Sequence, residues 1–472
     1  MGDGGQRGET TPAARRVSRR AFLRRAGLFG FGLAALPVLA ACGGTATPTE
    51  PPLPTAPPSG GASPAAGGAQ PTVSTRRYTG SLQLLQWSSF VPAADAEIQR
   101  QAAEWGKQHG VQVAIETVNG NDLQTKTSAA VQSKSGPDII QMQYNWPWLY
   151  DEQCVDVSQV YNDLGKQLGG YHQVMEAYCK VNDTPKAIPY AIVSNAWVYR
   201  DDWFKAIGAA LPTTFQELHD TGKQLKAKNQ PMGQALGHAY GDANTMWYGF
   251  LWGYGGKEVE QDGKTVAINS PETLAAVEAA VALYQDAFDP GVLSWDDSSN
   301  NRAFLGGQIS ATLNGASIYI TAKQQSPDLA KNIVHGLPLK GPKDQGVIHL
   351  NLSHAVMAYS QNQDAAQDFL YWLMQPAQYN RWLQVSGGYN VGVLHAYDNN
   401  PIWEQEPVLA PYRDSVKFGR WPGWPGQPNR AASEALARYL IVDMFAKACQ
   451  GTAPKDAIAA TEAALKQIYG GG

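Results

Sequence analysis

The sequence predicts an α/β protein of two lobes. Three observations predict it. The chain has 472 residues, more than one ordinary domain carries. A strand–helix–strand–helix–strand rhythm starts near Tyr78, which implies a parallel sheet with right-handed crossovers. And 43% of the residues are hydrophobic, enough for substantial cores.

The folded body is preceded by two other kinds of segment. Ser18-Arg19-Arg20-Ala21-Phe22-Leu23-Arg24 resembles a twin-arginine export signal. An uncharged run rich in Leu, Phe, Ala and Gly follows over 26–41. At roughly 16 residues it is short for a spanning helix, which needs about 20. It ends in Leu39-Ala40-Ala41-Cys42, which resembles a bacterial lipobox. That reading makes 1–41 a signal peptide, puts the lipid on Cys42, and places the body on the outer face of the cytoplasmic membrane. Residues 42–75 are dominated by Pro, Gly, Ala, Thr and Ser with Glu50 as the only charge, a composition that forms a stalk rather than a core.

Net charge is uneven. Residues 1–41 hold seven Arg against Asp3 and Glu9, leaving 30 basic against 39 acidic residues beyond them. So acidic a body argues against nucleic acid, whose phosphates need a basic face. Beyond Cys42 the cysteines are Cys154, Cys179 and Cys449, with no metal-ligand spacing. A Cys154–Cys179 disulfide and buried free thiols are both open.

Within the body, 82–87 (LQLLQW) reads as a buried strand, and 93–108 as a helix with Ile98, Ala102 and Trp105 on one face, stopped by Gly110. Residues 111–118 alternate as a second strand. Residues 123–134 are helical until Ser135-Gly136-Pro137, and 138–142 form a third strand. Ligands of such sheets sit at the carboxyl ends of the strands. Those ends carry Trp87-Ser88-Ser89, Asn119-Gly120-Asn121 and Gln143-Tyr144-Asn145-Trp146, all polar or aromatic and none charged. Residues 187–199 are extended. Thr213 or Thr214 caps a helix over 216–228, and 257–268 read as a hairpin with Asp262-Gly263 at its turn. Ser270 caps a helix that opens with Pro271.

From here the order of motifs becomes informative. Ala267-Ile268-Asn269-Ser270-Pro271-Glu272, then Asp289-Pro290-Gly291-Val292, then 303–315 (AFLGGQISATLNG) resemble family 1 extracellular solute-binding proteins. These are the sugar-capturing lipoproteins and periplasmic proteins of ABC importers, of the maltose-binding-protein kind. Pro137-Asp138-Ile139-Ile140, Ile188-Pro189-Tyr190, Val198-Tyr199-Arg200, 347–359, Phe369-Leu370-Tyr371-Trp372-Leu373 and Ser386-Gly387-Gly388-Tyr389-Asn390 extend the resemblance over nearly all of 78–469.

The resemblance implies a type II-like periplasmic-binding-protein fold. Each lobe is a sheet flanked by helices, and a hinge of crossing strands near 190–196 and 352–356 joins them. It assigns 76–193 with 354–405 to the first lobe and 194–353 with 406–472 to the second. It implies a monomer without cofactor or metal that closes on a carbohydrate and delivers it to membrane permease subunits and their ATPase. In one place the sequence departs from the family: the position after Gly315-Ala316 that often carries a sugar-stacking Trp is Ser317. Either Tyr319 substitutes or the pocket is wider there.

Sugars are recognised by rings packing on C–H faces and by dense hydrogen bonding to hydroxyls. The 14 Trp and 21 Tyr are plentiful, and many sit beside Gly, Pro and Asn. The ligand-binding candidates are therefore Trp87, Ser88, Asn119, Gln143, Tyr144, Asn145 and Trp146 at the strand ends, and Asn195 and Trp197 on the crossing strand. To these add Trp247, Trp252 and Tyr254 in an aromatic run, Gly315 and Ser317 at a turn, Tyr389 and Asn390 in a Gly-rich loop, and Arg420, Trp421 and Trp424 in RWPGWPG. An anionic sugar is possible if Arg420 or Arg200 faces the cleft, and both arginines read equally well as surface residues. No hydrolase or phosphate-loop motif is present, and the acid pairs, Asp296/Asp297 among them, read as exposed loop acids. A secreted carbohydrate-active enzyme, a pure interaction lipoprotein and a binder of a non-sugar solute are the alternatives.

Overall fold

The computed structural model describes Met1 and residues 76–470. The export signal, Cys42 and the stalk lie outside the described residues.

The first sheet begins as the sequence reading has it. Strands β1 (Ser81–Trp87), β2 (Gln112–Val118) and β3 (Ile139–Gln143) are parallel, with β1 in the middle. Between β1 and β2 runs the helix Pro92–His109, which buries Ala94, Ile98, Ala102 and Trp105. It stops at Gly110, whose φ of 79° lies in the left-handed region glycine favours and whose N–H caps the Gly106 carbonyl. A small hairpin, β4 (Lys180–Val181) with β5 (Thr184–Pro185), precedes β6 (Ile188–Val193) and β7 (Ala196–Arg200).

The extended run expected over 187–199 is thus two strands in two different sheets, separated only by Ser194 and Asn195. β7 is the centre of a three-stranded antiparallel sheet, between β8 (Ala311–Asn314) and β9 (Ile333–Gly336). The chain returns to the first sheet as β10 (Leu350–Val356), which inserts antiparallel between β3 and β6. The first sheet is therefore mixed, in the order β2-β1-β3-β10-β6. Two lobes, each a sheet covered by helices, are joined where these strands cross.

Local chemistry explains the second lobe's helices. Thr214 and Glu217 form a reciprocal capping box at the start of Phe215–Lys226. Ser270 caps Pro271–Ala287, with Pro271 in its first turn. Asp242–Gly253 is buried along its whole length. It packs among Phe215–Lys226, Pro271–Ala287 and Leu440–Cys449. A helix apolar all round belongs in a core. The 257–268 segment makes the expected turn but only one bridge, Val259 to Val266. Its turn is held by Asp262, which accepts from the Lys264 and Thr265 amides at 2.8 Å each. Cys154, Cys179 and Cys449 are buried free thiols, so the Cys154–Cys179 disulfide does not form. Among the described residues no helix is long and apolar enough to cross a membrane.

Candidate functional site

The carboxyl ends of β1, β2 and β3 face the second lobe, as a parallel sheet requires of a ligand site. The β1 end is fixed by its own chain. The Trp87 amide donates to Gln141 Oε1 at 3.2 Å, and the Ser88 amide to the Val118 carbonyl at 2.8 Å. Asp95, one turn into the following helix, accepts from the Ser89 amide at 2.9 Å and from Gln86 Nε2 at 3.3 Å. Burial raises its carboxyl above the ordinary carboxylate range. Beyond β3 the chain turns sharply at Tyr144, whose φ is 46°.

Three connected groups of residues define the cleft. An outer cavity of about 460 Å³ lies between Trp87, Ser88, Phe90, Asn119 and the facing Asp296-Asp297-Ser298. An inner chamber of about 30 Å³ is bounded by Trp87, Asn195, Asp242, Asp297, Gly315 and Tyr389. A second, of about 20 Å³, touches Gln86, Asp95, Tyr190, Trp382, Tyr389 and Asn390. The inner chambers are water-sized, since one water needs about 10–15 Å³.

The lobes are closed on each other. Tyr144 Oη donates to the Tyr240 and Gly241 carbonyls at 3.2 Å each. Trp146 Nε1 donates to Tyr240 Oη. Ser433 Oγ donates to the Asn145 carbonyl at 3.0 Å. A Cβ on Gly315 would lie 2.9 Å from the Tyr389 ring, so only glycine admits this approach.

The polar wall is acidic. Asp297 accepts from the Gly241 amide at 3.0 Å and from the Asp242 amide at 2.9 Å. Burial, and then the charge of Asp297, push the Asp242 carboxyl well above its ordinary range; burial likewise raises Asp297. A carboxyl raised in this way takes up a proton more readily, and in that form it donates as well as accepts. Asp242 Oδ2, Gln86 Oε1 and Asn390 Oδ1 are buried and find no hydrogen-bond partner among the described residues. So do Gln143 Oε1 and both amide atoms of Asn145. The Gln86 amide orientation follows from its Nε2 bond to Asp95, so its free oxygen is an acceptor. Asp95, Asp242, Asp296 and Asp297 line these spaces, and among the described residues no Lys, Arg or His does.

Trp87, Ser88, Asn119, Asn195, Gly315, Tyr389 and Asn390 are thus brought together at the cleft. Gln143, Tyr144, Asn145 and Trp146 are buried behind it, where the lobes touch. The remaining candidates line none of the three spaces. Trp197 is buried within β7 and stacks on Tyr199. Trp247 is in the second lobe's core, its ring 5.1 Å from Phe445 and its Nε1 donating to the Ala235 carbonyl at 2.9 Å. Trp252 packs edge-on against Tyr248, and Tyr254 lies tilted against Phe250. Ser317 Oγ accepts from Asn301 Nδ2 at 3.0 Å, and half-buried Tyr319 donates to Glu406 Oε2 at 3.2 Å. Neither supplies the missing stacking ring. Trp421 donates to the Gly426 carbonyl at 2.8 Å and meets Trp424 edge-on.

Arg420 is paired with Asp344 and lies over the Trp424 ring. Arg200 is paired with Asp202 and lies over Trp203. Neither cation lines the cleft, so neither is placed to pair with an anionic ligand. The acidic wall itself was not visible in the sequence. Asp297 looked like half of an exposed pair, and only the fold sets it against Gly241 and Asp242.

The chain's similarities agree with this architecture. The profile of the bacterial extracellular solute-binding protein family matches residues 100–411. No curated protein sequence matches the chain. Among solved structures, the fold is similar to that of a sugar transporter from Arthrobacter chlorophenolicus with bound laminaribiose. The TM-score is 0.73 at 17% identity, over 82% of this chain and 99% of that one. It is similar to the GacH receptor of Streptomyces glaucescens, solved unliganded and with acarbose, at a TM-score of 0.70 and 18% identity, over 84% of this chain and 99% of that one. It is also similar to maltose-bound MalE3 of T. maritima, at a TM-score of 0.70 and 18% identity, over 83% of this chain and 100% of that one. At such identities the likeness is one of fold, whereas the profile match spans well over half of the 472 residues. The chain belongs to the bacterial extracellular solute-binding protein family.

Proposed function

We propose that this protein is the substrate-binding component of an ABC importer. It captures a neutral carbohydrate between its lobes and delivers it to a membrane permease without chemical change. The observation that carries the reading is the composition of the cleft. Two aromatic rings, Trp87 and Tyr389, stand beside buried oxygen acceptors that lack partners, with no cation among them. Sugar hydroxyls supply the donors those acceptors need, and sugar C–H faces suit the rings. An acidic sugar would bring a further carboxylate against this acidic wall with no cation lining it to pair with, and is disfavoured.

Binding rather than hydrolysis fits the disposition of the acids. Asp242 and Asp297 share one wall and both oxygens of Asp95 are engaged within the first lobe, by Gln86 and Ser89, so among the described residues these acids form no pair aimed across a bond as glycoside hydrolysis requires. The similar structures support the sugar class, since laminaribiose, acarbose and maltose occupy those proteins. Export through the twin-arginine signal, a lipid on Cys42 and a monomeric body on the stalk complete the proposal. They rest on the sequence motifs alone.

The test is intrinsic tryptophan fluorescence of the body, residues 75–472, titrated with neutral mono- and oligosaccharides and with uronic-acid counterparts. The expected result is a saturable change with a neutral sugar, no change with its uronate, and recovery of the sugar intact. Silence across the neutral panel overturns the carbohydrate reading, and cleavage of the bound sugar overturns the transport reading.

A further inference from the structure

Away from the cleft, two imidazoles and a carboxylate converge from distant parts of the chain. Leu168-Gly169-Gly170-Tyr171-His172 leads into the helix Gln173–Cys179, and Val393-Leu394-His395 leads to Asp398. Gly169 and Gly170 have φ of 83° and 88°, values glycine adopts freely. A Cβ at Gly169 would touch the His395 Cβ at 3.5 Å. The two segments are sewn together through their backbones. Tyr171 and Leu394 form an antiparallel bridge. The His172 amide donates to the Val393 carbonyl at 3.1 Å, the His395 amide to the Gly170 carbonyl at 3.0 Å, and the Ala396 amide to the Leu168 carbonyl at 3.0 Å. The backbones that carry both histidines are therefore fixed before any side chain meets.

The side chains then form a compact donor set. His172 Nε2 lies 2.9 Å from Asp398 Oδ1, and His395 Nδ1 lies 3.0 Å from Asp398 Oδ2. The imidazole centroids are 4.6 Å apart, and one ligand atom from each of the three residues falls within 4.8 Å of the others. Metal–ligand bonds of about 2.0–2.1 Å put tetrahedral ligand atoms about 3.3 Å apart, so small rotations of the rings seat an ion. A cavity of about 410 Å³ adjoins the cluster, lined by His172, Asp398 and Asn399 among others, and supplies water for a remaining position. It also holds Arg413 and Lys417, but Arg413 Nε is paired with Asp414 at 2.9 Å and Lys417 lies over the Phe418 ring.

We propose that His172, His395 and Asp398 form a binding site for a divalent transition cation of the zinc type, which clips the two segments together. Two imidazoles and one carboxylate select Zn²⁺ or Ni²⁺ over Mg²⁺ and Ca²⁺, which want all-oxygen ligands. Each ring carries its proton on the nitrogen that faces away from the ion. Among the described residues, the hydrogen bonds and ring contacts of His172, His395 and Asp398 reach no cleft residue, so occupancy of the site changes stability and leaves solute affinity alone.

The experiment uses the chelator-treated full chain. ZnCl2, NiCl2 and MgCl2 are titrated calorimetrically, and thermal melting is followed with and without each ion. One equivalent of Zn²⁺ binding at micromolar concentration or tighter is expected, with a melting temperature several degrees higher and no response to Mg²⁺. His395 is half exposed, with 51% of its side chain accessible, so His395→Ala should melt like the wild type without metal. It should bind Zn²⁺ at least ten-fold more weakly. Asp398→Asn, which keeps the shape and loses the charge, should do the same. Absence of saturable Zn²⁺ uptake by the wild type overturns the site. So does uptake of unchanged affinity in both variants, which would place the ion at another histidine such as His219 or His238.

Discussion

Glu258 shows how one buried acid writes itself into the stability of the whole second lobe. It is fully buried, and its oxygens accept from Tyr248 Oη at 3.3 Å and Tyr469 Oη at 2.6 Å, which ties the segment to the last helix. Burial pushes its carboxyl up to about 7. The folded chain therefore holds a proton that the unfolded chain releases above about pH 4.5. The stabilisation from this group is complete below pH 4.5 and is lost as pH rises through 7. Glu258→Gln keeps a neutral side chain at every pH. Its melting temperature relative to the wild type should climb between pH 5 and pH 8, by the equivalent of about 3 kcal/mol at most. Parallel melting-temperature profiles for the two proteins would remove the argument.

Elements divide the tryptophans into two kinds, and mutation separates them. Trp247 lies in the fully buried helix Asp242–Gly253. Trp247→Ala should lower stability by about 3–5 kcal/mol and leave the affinity of the folded fraction nearly unchanged. Trp87 is only partly buried and ends β1 at the cleft. Trp87→Ala should cost little stability and weaken sugar binding at least ten-fold. Denaturant melts and fluorescence titrations of the two variants read both quantities, and a reversed pattern would reassign the rings.

The same contrast explains what the sequence could tell. Signals local to an element were legible: the apolar face of Pro92–His109, the Thr214 and Ser270 caps, and the three parallel strands. Placement by distant partners was not. The insertion of β10 between β3 and β6 and the set of Asp297 against Asp242 are contacts between remote segments. Aromatic abundance alone could not tell Trp247, bound to Ala235 in a core, from Trp87, open to a cavity. RWPGWPG looked like a ligand loop because Pro and Gly break periodicity. Its rings instead pack on each other and on Arg420.

At the scale of the whole molecule, affinity is governed by how much closure stabilises the protein before any solute arrives. β6 and β7 lie in different sheets and only Ser194 and Asn195 separate them, so a small change in backbone angle there moves one lobe against the other. Ser194 Oγ donates to the Tyr412 carbonyl at 2.6 Å and Ser415 Oγ to the Asn195 carbonyl at 2.7 Å, which brace that pivot. Across the cleft, Tyr144 Oη reaches the Tyr240 and Gly241 carbonyls while its ring meets Tyr240 edge-on at 5.3 Å. Tyr144→Phe deletes the hydroxyl and keeps the ring. The lost hydrogen bonds destabilise closure by about 1 kcal/mol. A ligand that binds the closed form must make up that difference, so its apparent dissociation constant should rise by a factor between one and about five, larger the more the open form is populated without ligand. Small-angle scattering of the unliganded variant should show a larger radius of gyration than the wild type, converging on it when sugar saturates. An unchanged dissociation constant with an unchanged radius would mean that Tyr144 holds the first lobe's own turn and that closure is set by other contacts.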